Sequence, residues 1–202
     1  MKPKLTIVYP CVGSKTLVPE IYYDKCKTPS DWKTYHDISS HKVRAIDLYT
    51  GTGFTIVKNT LDKLREHFDL DVYILSAGYS LIPEDKMIAG YNCTFSSSAK
   101  EDKVKKKDWS YWLRSMSDIR LPKGTVCVLP KSYSAPYNTA FGDLEDMILI
   151  QADGADREAM GSSMIHASFN LMDGIVNKAI ERGAYPPMDT WSSIRGWDVN
   201  DI

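Results

Sequence analysis

The clearest periodic signal in the chain is an apolar stripe at Phe54, Val57, Leu61, Leu64 and Phe68, backed by Lys58, Asp62, Lys63 and Glu66. Steps of three and four residues bring the apolar set onto one face, so the spacing predicts an amphipathic helix. Leu70-Asp71-Val72-Tyr73-Ile74-Leu75 follows at once as a strand, and Ser76-Ala77-Gly78-Tyr79-Ser80 reads as a small polar loop at its carboxyl end. Leu5 to Tyr9, Leu-Thr-Ile-Val-Tyr, reads as an earlier buried strand, stopped at Pro10 and followed by the tight loop Cys11-Val12-Gly13-Ser14-Lys15. From Thr16 to Lys42, Pro19, Pro29 and scattered aromatics, Tyr22, Tyr23, Trp32 and Tyr35, show no clear period. An irregular excursion with room for one short helix is expected there.

In the second half, Trp109, Trp112 and Met116 mark an aromatic-bearing helix. Gly124 to Pro130 and Met147 to Ile150 read as two more short buried strands, joined by a turn-rich stretch containing Pro136, Asn138 and Gly142. Met160, Met164, Ala167, Leu171, Ile175 and Ala179 predict one long helix from about Arg157 to Glu181, ending near Gly183 and the Pro186-Pro187 stop. Strands apolar on both faces need helices above and below. The expected fold is therefore a three-layer α/β/α domain with a mainly parallel four- or five-stranded sheet. One domain should span residues 1–202, with a mobile Ser/Lys-rich loop at about 96–107 and a C-terminal helix and tail from about 157. In such sheets ligands lie beyond the strands' carboxyl ends. The stretches Cys11 to Thr16, Ser76 to Ile82 and the residues after Leu129 are the places to look.

Composition narrows the classes. With 25 Lys+Arg against 26 Asp+Glu and a formal charge of -1, the chain is not a basic nucleic-acid coat. No apolar run approaches the roughly 20 residues of a membrane helix, and the Lys2/Lys4 start lacks a secretory apolar region, so a cytoplasmic protein without membrane contact is expected. Cys11, Cys26, Cys93 and Cys127 form no Cys-x-x-Cys pair and are expected as free thiols. The histidines, His36, His41, His67 and His166, show no pair four apart on an evident helix, and neither a metal nor a cofactor is expected.

Several stretches could carry chemistry. Gly13-Ser14-Lys15-Thr16 ends like a phosphate loop, but Val8 and Tyr9 stand where its first glycine belongs, which argues against a nucleoside triphosphatase. Gly and Ser amides beside a lysine can still hold one phosphate or carboxylate, or make a plain turn. Asp47 precedes the Thr50-Gly51-Thr52-Gly53 turn, where an acidic residue can cap a helix or stabilise positive charge on a sugar ring. Tyr73, Tyr79, Tyr91, Tyr111, Trp109 and Trp112 can stack on bases or fill a core. Lys100, Lys103, Lys105, Lys106 and Lys107 can track a phosphate backbone or form a solvated face.

Taken together, Cys11-Val-Gly-Ser-Lys15, Ala45-Ile-Asp47-Leu-Tyr49 with Phe54, Ile74-Leu-Ser76-Ala77 with Leu81-Ile82, and Tyr91-Asn-Cys-Thr94 resemble a widespread family of small bacterial and phage proteins. That family's pattern runs C-x-x-x-K, A-x-D-L-Y, I-L-S-A-K-[HY]-G-L and Y-D-x-T, and the likeness spans about residues 5 to 95. The family looks related to the peroxide-stress proteins and, more remotely, to the uracil-DNA glycosylase-like superfamily. The resemblance implies a three-layer α/β fold and, for several remote relatives, removal of a base from DNA. Two departures stand out: Gly78-Tyr79-Ser80 replaces Lys-[HY]-Gly, and Asn92 replaces the aspartate.

The expectation that follows is an N-glycosidase-type enzyme acting on a nucleobase, modified or not, in DNA or a nucleotide. In it Asp47 assists ionisation of the glycosidic bond, and Asn92 with Ser76 contacts the base or a water. Ser14, Lys15 and backbone amides around Cys11 and Gly13 hold phosphate, Tyr49 or Tyr79 stacks, and Tyr91 and Thr94 complete the substrate site. Lys103, Lys105, Lys106 and Lys107 would contact nucleic acid. The alternatives are a non-catalytic nucleic-acid or nucleotide binder, and a phage protein that docks on a host protein through Trp109 to Trp112.

Overall fold

Lys4–Pro10 (β1) is buried on both faces after its first residue, because it runs through the centre of a five-stranded sheet. The computed structural model describes residues 2–26, 28–155, 158, 163–183 and 185. In chain order the elements are β2 (Ile21–Tyr22), α1 (Pro29–Ile38), β3 (Lys42–Arg44), α2 (Ala45–Leu48), α3 (Thr52–His67), β4 (Asp69–Ser76) and β5 (Ser80–Pro83). They continue with β6 (Met87–Ala89), β7 (Tyr91–Asn92), α4 (Trp109–Met116), β8 (Val126–Val128), α5 (Lys131–Phe141), β9 (Ile148–Ile150) and α6 (Met164–Arg182). The sheet order is β5-β4-β1-β8-β9, parallel except for the β4–β5 pair.

This is a mixed α/β fold with a mostly parallel sheet between helical layers. From β1 the chain crosses through α3 to β4 on one side, then returns past β1 to β8 and β9 on the other. Right-handed crossovers that advance in opposite directions put their helices on opposite faces. Accordingly α3 packs with α6 on one face, and α4 packs with α5 on the other. The direction reverses between β1 and β8, which makes that point of the carboxyl edge the topological switch point of the sheet.

The stripe Phe54, Val57, Leu61 and Leu64 is buried in α3 as its spacing requires, and Gly183 ends α6 with φ of 68°. The start expected for that last helix, about Arg157, and Trp191 and Trp197 lie outside the described residues. Two expectations are corrected. The turn-rich stretch around Pro136 is the helix α5, with Tyr133, Pro136, Tyr137 and Ala140 buried and Gly142 as a left-handed cap. The residues after Ser76 are a tight turn into an antiparallel edge strand, with Ser76 paired to Ser80 and Ile74 to Ile82.

The α3–α6 layer is pinned by Asp173, which accepts from Thr60 Oγ1 at 2.7 Å, Lys63 Nζ at 2.9 Å and Asn177 Nδ2 at 2.9 Å. Burial alone would raise its pKa, but Lys63, Thr60 and Asn177 outweigh that and hold it below the ordinary value of 3.8. A carboxyl depressed in the folded state stabilises the fold above its unfolded pKa and loses that contribution as pH falls through the folded one. Asp173→Ala should therefore cost about 2 kcal/mol at neutral pH by urea unfolding, with the gap to wild type narrowing below about pH 4. A gap that is constant down to pH 2 would contradict the assignment.

Candidate functional site

The turns that leave β1 and β4 meet at the carboxyl edge. Cys11 N–H donates to Leu75 O at 3.0 Å, and Ala77 N–H reaches Cys11 Sγ at 3.5 Å. The Tyr133 hydroxyl, carried in by the first turn of α5, lies 3.0 Å from the same sulfur and packs over the switch point between β1 and β8. Ala77 O accepts from Trp112 Nε1 at 2.9 Å and from Cys93 Sγ at 3.3 Å, so the two thiols bracket one residue's backbone.

Beside it, Ser76 Oγ accepts from the amides of Gly78 at 3.2 Å and Tyr79 at 3.0 Å. Both lone pairs being used, the single Ser76 proton goes to the Tyr91 hydroxyl at 2.8 Å, which meets the Tyr49 hydroxyl at 2.9 Å. Burial pushes the phenols of Tyr49, Tyr91 and Tyr133 and the Cys93 thiol well above their ordinary pKa values, with Cys11 nearby adding to each shift. At neutral pH these four groups are uncharged hydrogen-bonding groups.

The cation at this edge is Lys15. Residues 13–16 lie against 48–50 through Thr50 N–H to Ser14 O at 3.0 Å and Thr16 N–H to Leu48 O at 2.8 Å, which aims the lysine inward. Its Nζ sits 4.5 Å from the centre of the Tyr91 ring and donates to Gly13 O at 3.3 Å. Burial lowers its pKa, while proximity to Cys11 and Cys93 acts the other way. Gly13 and Ser14 are exposed, and Ser14 lies against Gly51, at the start of α3, where no side chain caps the helix.

The structure thus brings Cys11, Gly13, Ser14, Lys15, Tyr49, Ser76 and Tyr91 to one edge, but not in every role expected of them. Asp47 turns away. Its carboxylate, 44% exposed, accepts from Arg44 Nε at 2.7 Å and lines a separate hollow of about 410 Å³ with Lys58, Arg65 and Glu84. Held there, the carboxylate expected to act in catalysis is paired with Arg44 and is not among the groups bonded together at the Cys11, Ser76 and Tyr91 edge. Asn92 is likewise engaged, donating from Nδ2 to Asp102 Oδ2 at 2.7 Å, and Asp102 and Asp24 clasp each other's amides at 2.9 and 3.0 Å. Thr94 is tied into a local turn, accepting at its hydroxyl from Ser96 N–H at 3.0 Å.

Tyr49 and Tyr79, one of which was expected to stack on a base, are both buried, as is Tyr91. Tyr79 and Tyr91 meet edge to face at 5.2 Å, Trp32 meets each at 5.7 Å, and Tyr49 packs on Phe54 at 5.3 Å. Trp112 is buried too, leaving only Tyr111 of the Trp109 to Trp112 segment well exposed. Sequence reasoning missed Tyr133, Trp32 and the Cys93 contact. A tyrosine pair four apart, Tyr133 and Tyr137, was the available signal for α5.

The Lys-rich stretch is anchored at its middle by Val104, which is fully buried and bonded to Thr94, and by Trp109 Nε1 donating to Val104 O at 3.1 Å. Phe95, just before it, packs on Tyr133 at 5.6 Å. Lys105, Lys106 and Lys107 follow that anchor on the surface, while Lys103 donates from Nζ to Ser97 O at 2.9 Å. Among the described residues, no three or more His, Cys, Asp or Glu side chains are grouped to hold a metal ion, and no helix is long and apolar enough to cross a membrane.

Fold and edge together define a doubly wound α/β protein with a buried phenol and thiol network under a lysine-bearing loop. Residues 35–145 match DUF6884, a family of unknown function, and the chain belongs to that family. The match covers the Ser76 turn, Tyr91 and Tyr133 but begins after the Cys11 to Lys15 loop. No curated protein matches the sequence.

Proposed function

We propose that the protein holds a phosphate-bearing nucleobase ligand, DNA or a nucleotide, at the carboxyl edge of its sheet and acts on that ligand's N-glycosidic bond. The observation that carries the binding part is a set of lysines without ion-pair partners, Lys15 at the carboxyl edge and the run tied to that edge through Phe95 on Tyr133. Among the described residues, Lys15, Lys100, Lys103, Lys105, Lys106 and Lys107 form no ion pair. In a chain of net charge -1, that local excess favours an anionic ligand. Exposed Ser14, the uncapped start of α3 and Lys15 suit a phosphate, and the lysines from 103 to 107 suit a neighbouring stretch of backbone. The reaction class comes from the family resemblance carried by Cys11, Lys15, Ser76 and Tyr91.

Binding of a labelled oligonucleotide across a salt series tests this. The plot of log affinity against log salt should have a negative slope, and replacing Lys105, Lys106 and Lys107 together by Gln should flatten it by about 2 to 3. Free base should accumulate, seen by chromatography, when the bound substrate is the right one. Absence of salt-dependent binding by the wild type, or a slope that the triple replacement leaves unmoved, rejects the reading.

A further inference from the structure

We infer that Asp102 is a positioning residue of the nucleic-acid contact, fixing the run Lys105 to Lys107 in a set place relative to Lys15 so that one phosphate backbone meets both. The inference rests on the reading just proposed and names the device that lays its track. Two unfavourable features meet at Asp102. Its backbone is left-handed, with φ of 51°, and its carboxylate belongs to a residue only 5% exposed that forms no ion pair among the described residues. Each disfavours the fold taken alone, because L-residues avoid that conformation and a buried charge is best stabilised by an opposite one. Such outliers persist only where surrounding bonds hold them, and they gather at functional positions.

The bonds are specific. Asp102 Oδ1 accepts from Asp24 N–H at 3.0 Å and Oδ2 from Asn92 Nδ2 at 2.7 Å, its own N–H donates to Asp24 Oδ2 at 2.9 Å, and its carbonyl accepts from Thr94 N–H at 2.9 Å. Asn92 ends β7 and Asp24 lies just past the end of β2, its parallel partner, so one carboxylate ties off both strands. β7 thereby holds both sets of cations. The Tyr91 ring lies 4.5 Å from Lys15 Nζ, and the next residue, Asn92, holds Asp102. Past Asp102, Val104 N–H donates to Thr94 O at 3.0 Å, and Trp109 Nε1 closes on Val104 O at 3.1 Å. The exposed Lys105, Lys106 and Lys107 sit between these two anchored residues. Ordering their backbone in advance removes an entropy cost that binding would otherwise carry.

Charge and position predict opposite outcomes at this residue. Asp102→Gly removes a negative charge near the lysines, which by electrostatics alone tightens nucleic-acid binding, and it removes both side-chain bonds while leaving every lysine in place. Glycine also takes the left-handed backbone without strain, which favours folding. Affinity of the full chain for a labelled oligonucleotide at low salt should nevertheless fall by about fivefold or more, and the plot of log affinity against log salt should flatten by about 1. Asp102→Asn, equally more positive, keeps an oxygen for Asp24 N–H and an amide that can donate to Asn92 once the Asn92 amide turns over, so it should bind at least as tightly as wild type. Asn92→Asp sets two carboxylates against each other across the 2.7 Å contact and should weaken binding; adding Asp102→Asn to it restores donor and acceptor at wild-type charge and should restore wild-type affinity. Melting temperatures establish that each variant is folded, and the charge-matched pair decides alone where Asp102→Gly is not. Folded Asp102→Gly that binds as tightly as wild type, or a weakened Asn92→Asp that the second replacement does not rescue, overturns the inference and leaves the lysine contact in place. Failure of the wild type to bind, or a slope unmoved by replacing Lys105, Lys106 and Lys107, removes the underlying reading as well.

Discussion

Gly78→Ala should destabilise the protein by about 3 kcal/mol, a large effect for adding one methyl group. Gly78 is not at a positive φ, so its backbone does not demand glycine. What demands it is space. A Cβ at 78 would run into Trp32 Cζ2 and stand 2.8 Å from Tyr91 Cδ2, contacts that real Cβ atoms do not make. Neither neighbour is free to move. Trp32 is fully buried and meets Trp112 edge to face at 5.4 Å, while Tyr91 is tied by its hydroxyl to Ser76 and Tyr49. Trp32→Phe, which shortens the intruding ring, should recover part of the loss, so a double-mutant cycle by urea unfolding should give a coupling of about 1 kcal/mol or more. A Gly78→Ala protein as stable as wild type would refute the close packing. The family resemblance expects a lysine at 78, and α1 explains its absence: the indole of Trp32 fills the room that a longer side chain would need.

What the sequence reveals and what it hides divide along physical lines. α3, β1 and β4 were legible because each is long and buries a regular set of positions, and periodicity reports burial directly. α5 was hidden because Pro136 and Gly142 read as turn residues. In fact Gly142 caps the helix end, and Pro136 sits in the helix interior on its buried side, its cost outweighed by the packing of Tyr133, Tyr137 and Ala140. β5 was hidden by its four residues and its terminal Pro83, which a sheet edge tolerates. α1 carried a readable signal in Thr28-Pro29-Ser30-Asp31. Thr28 Oγ1 accepts from Asp31 N–H at 3.1 Å and Asp31 Oδ2 from Thr28 N–H at 2.9 Å, a reciprocal cap with proline at the first helical position.

The site divides in the same way. Motifs dozens of residues apart, at Cys11, Ser76 and Tyr91, do converge, since parallel strands bring their carboxyl ends together. The direction in which each side chain leaves its element has no periodic signature. Asp47 lies two residues from Tyr49, yet its carboxylate faces Arg44 in one hollow while the Tyr49 ring is buried against Phe54 and its hydroxyl meets Tyr91. Only tertiary contact decides which of them can reach a ligand.

Tyr91→Phe should cost about 3 kcal/mol. The Tyr91 hydroxyl takes the Ser76 proton and meets the Tyr49 hydroxyl, so its removal strands two buried groups, each carrying a desolvation cost of about 1 to 3 kcal/mol. Tyr49→Phe ends the chain one member earlier and strands only one, so about half the loss is expected. Urea unfolding of the two variants checks the order, and equal losses would show that the bonds do not act in series. The phenylalanine ring still offers its face to Lys15 Nζ, which rests on the ring and not on the hydroxyl.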